Sequence, residues 1–232
     1  MKPARGLQFL VACAALALAA IAGGCTVKNV NIRPPEYEGG STHIFGEVDN
    51  PTGGYAKYVQ VKGSLFDGGG TVVASPTFWV CSSIIKPNDT LAFGTYYHGA
   101  SPIANYELHV ESIPMEPVPD AALSISDLQV IENEYGNLGI KGVITNTGSE
   151  RYEHIKVCAA FYDSSGKVDG FLFNYAPDVD PGQRASFDVF GSPFGGEPSS
   201  NAVTYRLWLE PSRTASTGYM YRGYVSTEKT PF

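Results

Sequence analysis

The stretch VCAAFYDSSG, Val157–Gly166, decides how the chain is read, because it has a double at VKGSLFDGGG, Val61–Gly70. Both write an apolar alternation, an aromatic, an Asp and a glycine-ended turn. In HIKVCAAFYD, period two puts Ile155, Val157, Ala159 and Phe161 on one face and His154, Lys156, Cys158, Ala160 and Tyr162 on the other. The first copy sets Val59, Val61, Gly63 and Leu65 against Tyr58, Gln60, Lys62, Ser64 and Phe66. This is the pattern of a half-buried strand. Asp67 with Gly70, and Asp163 with Gly166, supply the chemistry of a tight hairpin turn: a carboxylate that bonds back to the backbone and a residue free to take positive φ. Because Lys62 matches Cys158, that thiol is expected on the less buried face.

The doubling extends outward at a shift of about 96 residues. GEVDNPTG (46–53) falls on GVITNTGS (142–149), KPNDTLAF (86–93) on DPGQRASF (180–187), and NYELHVE (105–111) on TYRLWLE (204–210). Four blocks in one order read as two copies of one domain, each of roughly 90 residues. KPND and DPGQ are turns with Pro at the second position. With leading strands near Val30–Ile32 and Ile125–Glu132, each copy holds about seven short strands, enough for two facing antiparallel sheets. IPMEPVPD (113–120) lies between the copies, and its prolines stiffen it into a semi-rigid linker. The expected organisation is a signal segment 1–24, a first sandwich 25–112, a linker 113–121, a second sandwich 122–211 and a tail 212–232, the last an edge strand or an adhesive end.

Composition agrees. The 26 glycines, 16 prolines, 12 phenylalanines and 14 tyrosines in 232 residues describe turns joined by aromatic strands, so the fold class is all-β.

The first residues are a targeting segment. Lys2 and Arg5 precede the apolar run LQFLVACAALALAAIAGG, and AGGC (Ala22–Cys25) follows. AGGC resembles the bacterial lipobox, with cleavage before Cys25 and lipid transfer to its sulfur. An ordinary secretory signal and an uncleaved membrane anchor are the other readings. Two or three acyl chains give a firm anchor, so the expected localisation is the cell envelope, membrane-attached and outside the cytoplasm. Removing Lys2 and Arg5 from the 16 basic residues leaves 14 against 23 acidic ones, a net charge of −9, which argues against nucleic acid or anionic lipid as a partner. Of the remaining cysteines, Cys81 and Cys158 lie in different halves at positions that do not correspond. They are read as two separate, partly buried thiols, although an exported pair invites a disulfide.

Each copy resembles the FxLYD domain, an immunoglobulin-like β-sandwich found in secreted and lipid-anchored prokaryotic proteins. In AAFYD, Ala159 stands at the family's Phe, Phe161 at its Leu, and Tyr162 and Asp163 agree; in GSLFD, Gly63 and Phe66 depart while Leu65 and Asp67 agree. TNTG and PGQ also look like the family. The resemblance implies two tandem immunoglobulin-like domains and carries no catalytic residues and no specific ligand.

The search for chemistry returns little. His43, His98, His109 and His154 are scattered, and no G-x-S-x-G elbow, P-loop or H-E-x-x-H occurs. Asp178 and Asp180 could contribute to a calcium site, but a hard ion needs 6–8 oxygens, so no metal and no cofactor are expected. Trp79 and Trp208 are the candidate ligand-facing aromatics, since flat apolar rings bind sugars or proteins when exposed. The expectation is therefore a non-enzymatic lipid-anchored spacer or interaction module, partnered by another envelope protein or by a second copy through a sheet edge. The alternative is a carbohydrate-binding accessory lipoprotein that meets cell-wall glycan through Trp79 or Trp208.

Overall fold

The computed structural model describes residues 24–35, 40–99, 102–132, 137–190, 196, 198, 199, 201–215, 218–220 and 223–232. The apolar segment before Gly24 lies outside the described residues. The fold is all-β. The first half contains β1 (Thr26–Arg33), β2 (Thr42–Asn50), β3 (Tyr55–Phe66), β4 (Val72–Ala74), β5 (Thr77–Val80), β6 (Ile84–Ile85), β7 (Asp89–Tyr97) and β8 (Asn105–Met115). The second contains β9 (Leu123–Glu132), β10 (Leu138–Asn146), β11 (Glu153–Asp163), β12 (Val168–Ala176), β13 (Arg184–Val189) and β14 (Ala202–Ala215). The tail adds β15 (Gly218–Met220), β16 (Val225–Ser226) and β17 (Thr230–Pro231).

Strand pairing is antiparallel and repeats between the halves. In the first, β2 lies between β1 and β7, while β3 carries β8 on one edge and β4, β5 and β6 on the other. In the second, β10 lies between β9 and β13, and β11 lies between β12 and β14. The first half departs in having three short strands where the second has β12, and β5 pairs with β7 as well as β3, joining its two layers at one edge.

Backbone singularities repeat too. Left-handed residues pair off as Asn29 (φ 52) with Asp127 (φ 55), Tyr58 (φ 55) with His154 (φ 48), Gly70 (φ 80) with Gly166 (φ 82), and Asn88 (φ 54) with Gly182 (φ 75). The first two pairs sit in register shifts, between β1 and β2, β9 and β10, β3 and β8, and β11 and β14, where one strand spends an extra residue. A non-glycine residue at positive φ is strained, and its recurrence at matched sites marks a bulge built into both halves.

The turns match atom for atom. Asp67 Oδ1 accepts from the amides of Gly69 and Thr71, each at 2.9 Å, and Asp163 Oδ1 accepts from those of Ser165 at 2.8 Å and Lys167 at 3.0 Å. Asn50 and Asn146, both fully buried, bind opposing loops: Asn50 Nδ2 donates to the carbonyls of Gly54 and Lys86, and Asn146 Nδ2 to those of Glu150 and Val179.

Within the second half, Ile140, Ile144, Val157, Phe161, Leu172 and Leu207 form a core. The predicted inner face of β11 is therefore the observed one. A second core gathers Ile44, Val48, Val61, Leu65 and Phe93 of the first half, and it continues into Cys158, Ala160, Tyr162, Phe171, Trp208 and Tyr224 of the second.

Candidate functional site: the junction of the two halves

The chemistry of the molecule concentrates where the outer face of β12-β11-β14 meets that of β1-β2-β7-β5. Both faces of β11 are buried from Val157 to Tyr162, whereas on β3 Lys62 and Ser64 stay partly open. The cause lies in how the copies differ. Gln60, Lys62 and Ser64 of β3 are replaced in β11 by Lys156, Cys158 and Ala160, and Glu107 and His109 of β8 become Arg206 and Trp208 in β14. Cys158, Ala160 and Trp208 thus give the docking face an apolar centre, with Lys156 and Arg206 beside it.

Cys81 and Cys158 form a disulfide with Cα atoms 5.5 Å apart, and neither residue is exposed. This corrects the expectation of two separate thiols. Cys158 is also not on a less buried face: that face is closed by the first half. Trp208 is fully buried here and cannot be ligand-facing. Its Nε1 has no hydrogen-bond partner, and the Arg206 guanidinium stands 4.8 Å from its ring centroid. Gly94 lets the two sheets approach closely, since a Cβ there would meet Phe171 side-chain atoms at 2.8–2.9 Å.

Charged residues in the junction are paired, as burial requires. Arg206 Nη2 donates to Asp89 Oδ1 at 2.9 Å, Nη1 to the Thr90 carbonyl at 3.2 Å and Nε to the Thr227 carbonyl at 3.0 Å. The Tyr224 hydroxyl donates to the other Asp89 oxygen. Burial alone would raise the Asp89 pKa, but the bonds from Tyr224 and the Thr90 amide, with the Arg206 charge, outweigh it and hold the carboxyl below its ordinary value. Burial and the Asp89 charge push Tyr224 upward. Glu210 Oε1 accepts from Ser82 Oγ at 2.8 Å, the Ser83 amide at 2.8 Å and Ser83 Oγ at 2.7 Å, while Lys156 lies 3.4 Å from Oε2. Asn31 Nδ2 and Arg33 Nη1 reach across to the carbonyls of Val168 and Asp169, both at 2.9 Å.

The segment read as a linker is likewise tied down. Ile113–Met115 belong to β8, Lys86 pairs with Asp120 at 2.7 Å, and Asp120 bridges Gly223 of the tail. The tail's β16 and β17 add to the edge of β14. The second half therefore lies against the flank of the first, stacked sheet on sheet, rather than beyond it on a tether.

The other sequence candidates are dispersed. Trp79 is 52% exposed and sits at the junction rim with its ring 6.0 Å from that of Phe173. Asp178 and Asp180 both face Arg151, at 2.7 and 3.4 Å, so a guanidinium occupies the place a cation would take. Among the described residues no cluster of three His, Cys, Asp or Glu could hold a metal, and no helix is long and apolar enough to cross a membrane. A shallow polar hollow on the β3-β8 face is lined by Lys62, Ser64, Thr77, Glu107 and His109. Cys25 is half-buried at the start of β1; burial raises its thiol pKa, a hydrogen bond with Ser112 lowers it, and the Asp49 charge raises it again, for a net rise.

No family model matches the chain. It is 30% identical over 93 residues to an uncharacterized protein of Methanocaldococcus jannaschii, an alignment spanning 40% of this chain and 66% of the relative, less than two thirds of its length. Among solved structures it is similar to a calcium-binding mutant of Bacteroides uniformis β-glucuronidase 2, at TM-score 0.28 and 15% identity over 89% of this chain and 28% of that one. A glycoside hydrolase family 2 β-glucuronidase gives 0.24 and 10%, over 86% and 25% respectively. Scores this low carry no functional argument.

Proposed function

We propose that this is a non-enzymatic lipoprotein of the cell envelope, acylated on Cys25, that presents two tandem FxLYD-like, immunoglobulin-like domains as one stiff interaction module. The observation that carries the reading is the sequence AGGC closing an apolar segment immediately before the first strand. Thr26 already pairs with Asp49, so an acylated Cys25 holds the folded body against the bilayer with almost no tether. The disulfide and the shared core make the two halves move as a unit, which suits a spacer or a fixed display surface better than a flexible adaptor. The partner is another envelope protein. The test is a pull-down from detergent-solubilised envelope with the acylated protein and a Cys25→Ala control. A stoichiometric partner retained only by the acylated form supports the module, and an acylated protein that recovers nothing counts against it.

A second reading rests on Trp79 and Tyr175, 52% and 61% exposed. In it the protein binds cell-wall glycan by ring stacking. Quenching of Trp79 emission by wall sugars, absent in Trp79→Ala, would favour it; Trp208 is too buried to contribute.

A further inference from the structure

The outer face of the paired strands β3 and β8 changes character along its length. At the end nearest the Asp67 turn it presents Ser64, Lys62 and Gln60 beside Glu107, His109 and Glu111. Past the bulge at Tyr58 the same face carries Tyr58 (52% exposed), Ile113 (48% exposed) and the pair Tyr55 with Met115. Lys57 is the cation among them, its Nζ 5.3 Å from the Tyr58 ring centroid. The neighbouring loop Pro51–Tyr55, PTGGY, has no charge.

The chain enters the fold at this same end. β1 starts at Thr26, which pairs with Asp49 just ahead of that loop, so Cys25 lies at this end. Acyl chains on the Cys25 sulfur, as proposed above, enter the bilayer from this end. Tyrosine, with an apolar body and a polar tip, and lysine, with an apolar stem, are residues that favour the headgroup layer.

We infer that the surface formed by Tyr55, Tyr58, Ile113 and Met115 rests in the headgroup layer of the bilayer and fixes the molecule's orientation there. The inference rests on the membrane attachment proposed above and adds a defined contact face to it. The anchor holds the protein at the membrane, and the patch holds it upright. The opposite end of β3, with the Asp67 turn, then points away: from Tyr55 to Phe66 the strand runs about 36 Å at ~3.3 Å per residue.

The test uses the full chain, produced in a host that processes lipoproteins and reconstituted into phosphatidylcholine and phosphatidylglycerol vesicles with bromine on the upper acyl chain. Tyr58→Trp and Ile113→Trp each add a reporter in the patch, and Val72→Trp, at a 51% exposed site on the far end, is the control. The inference predicts that all variants float with the vesicles, and that bromolipid removes the emission added at 58 and 113 while leaving that at 72 intact. Flotation with unquenched reporters at both 58 and 113 would overturn the contact face and leave the attachment standing. Failure of every variant, and of the unsubstituted chain, to float would overturn the attachment and the contact face together.

Discussion

Replacing Cys81 and Cys158 together by alanine removes a cross-link between residues 77 apart in sequence. The main effect falls on the unfolded chain, which regains the freedom that closing a loop of this size had denied it. The chain-entropy relation gives about 4.5 kcal/mol for such a loop at 25 °C. At roughly 2–4 °C per kcal/mol for a chain of this length, the melting temperature should drop by about 9–18 °C. The folded state should survive, because Trp208, Phe171 and Phe45 still pack across the junction and the Arg206–Asp89 pair remains. The assay is calorimetry of the wild type and the double variant side by side. One cooperative transition in each, separated by a shift in that range, is expected from a shared core. A variant melting within about 2 °C of wild type would rule out a stabilising cross-link of this size, since less than about 1 kcal/mol would then be at stake. Two separate transitions in the oxidised wild type would rule out the shared core, by showing halves that unfold independently.

Other consequences follow from particular contacts. Gly94→Ala pushes a methyl into Phe171 and should cost about 1–3 kcal/mol by overpacking, read as a lower urea midpoint with an unchanged slope. Asp89→Asn leaves the largely buried Arg206 without its counter-charge and should cost about 3 kcal/mol at neutral pH. The Asp89 carboxyl has a folded-state pKa below its unfolded value, so its contribution is complete above the ordinary carboxylate range and is lost as pH falls through the folded value; the stability of Asp89→Asn should therefore fall less steeply than wild type on acidification. Asp67→Ala and Asp163→Ala remove equivalent turn bonds and should each cost about 1 kcal/mol, with neither much worse than the other. Under native conditions dithiothreitol should reduce the Cys81–Cys158 bond only as fast as the junction opens, because both cysteines are buried; rapid thiol release from the folded protein would contradict that.

The repeat was legible because it is written in residues that act locally. An Asp that caps a turn, a glycine at positive φ and a Pro at the second turn position each state their structure without reference to the rest of the chain, and all recur at matched places. The inner face of β11 was legible for the same reason, since period two needs only neighbours along one strand. The junction was not, because it depends on what the outer face meets. Matching Cys158 to Lys62 carried the environment of one copy over to the other, yet the substitution itself was the signal. Where one copy has Lys62, Ser64 and His109 and the other has Cys158, Ala160 and Trp208, the second face has become apolar for a reason that lies outside its own half. The same comparison places Trp208 inside. Proline content suggested an independent linker, but a strand edge tolerates proline, and β8 runs through Pro114.

Attachment of this folded body to the membrane through Cys25 is decided by intact mass spectrometry of the protein extracted from envelope membranes. The expected species is a chain that begins at Cys25 and carries a diacylglyceryl group on its sulfur, with that mass absent in Cys25→Ala. A chain that retains Met1, or one cleaved to a soluble form with an unmodified Cys25, would contradict that attachment.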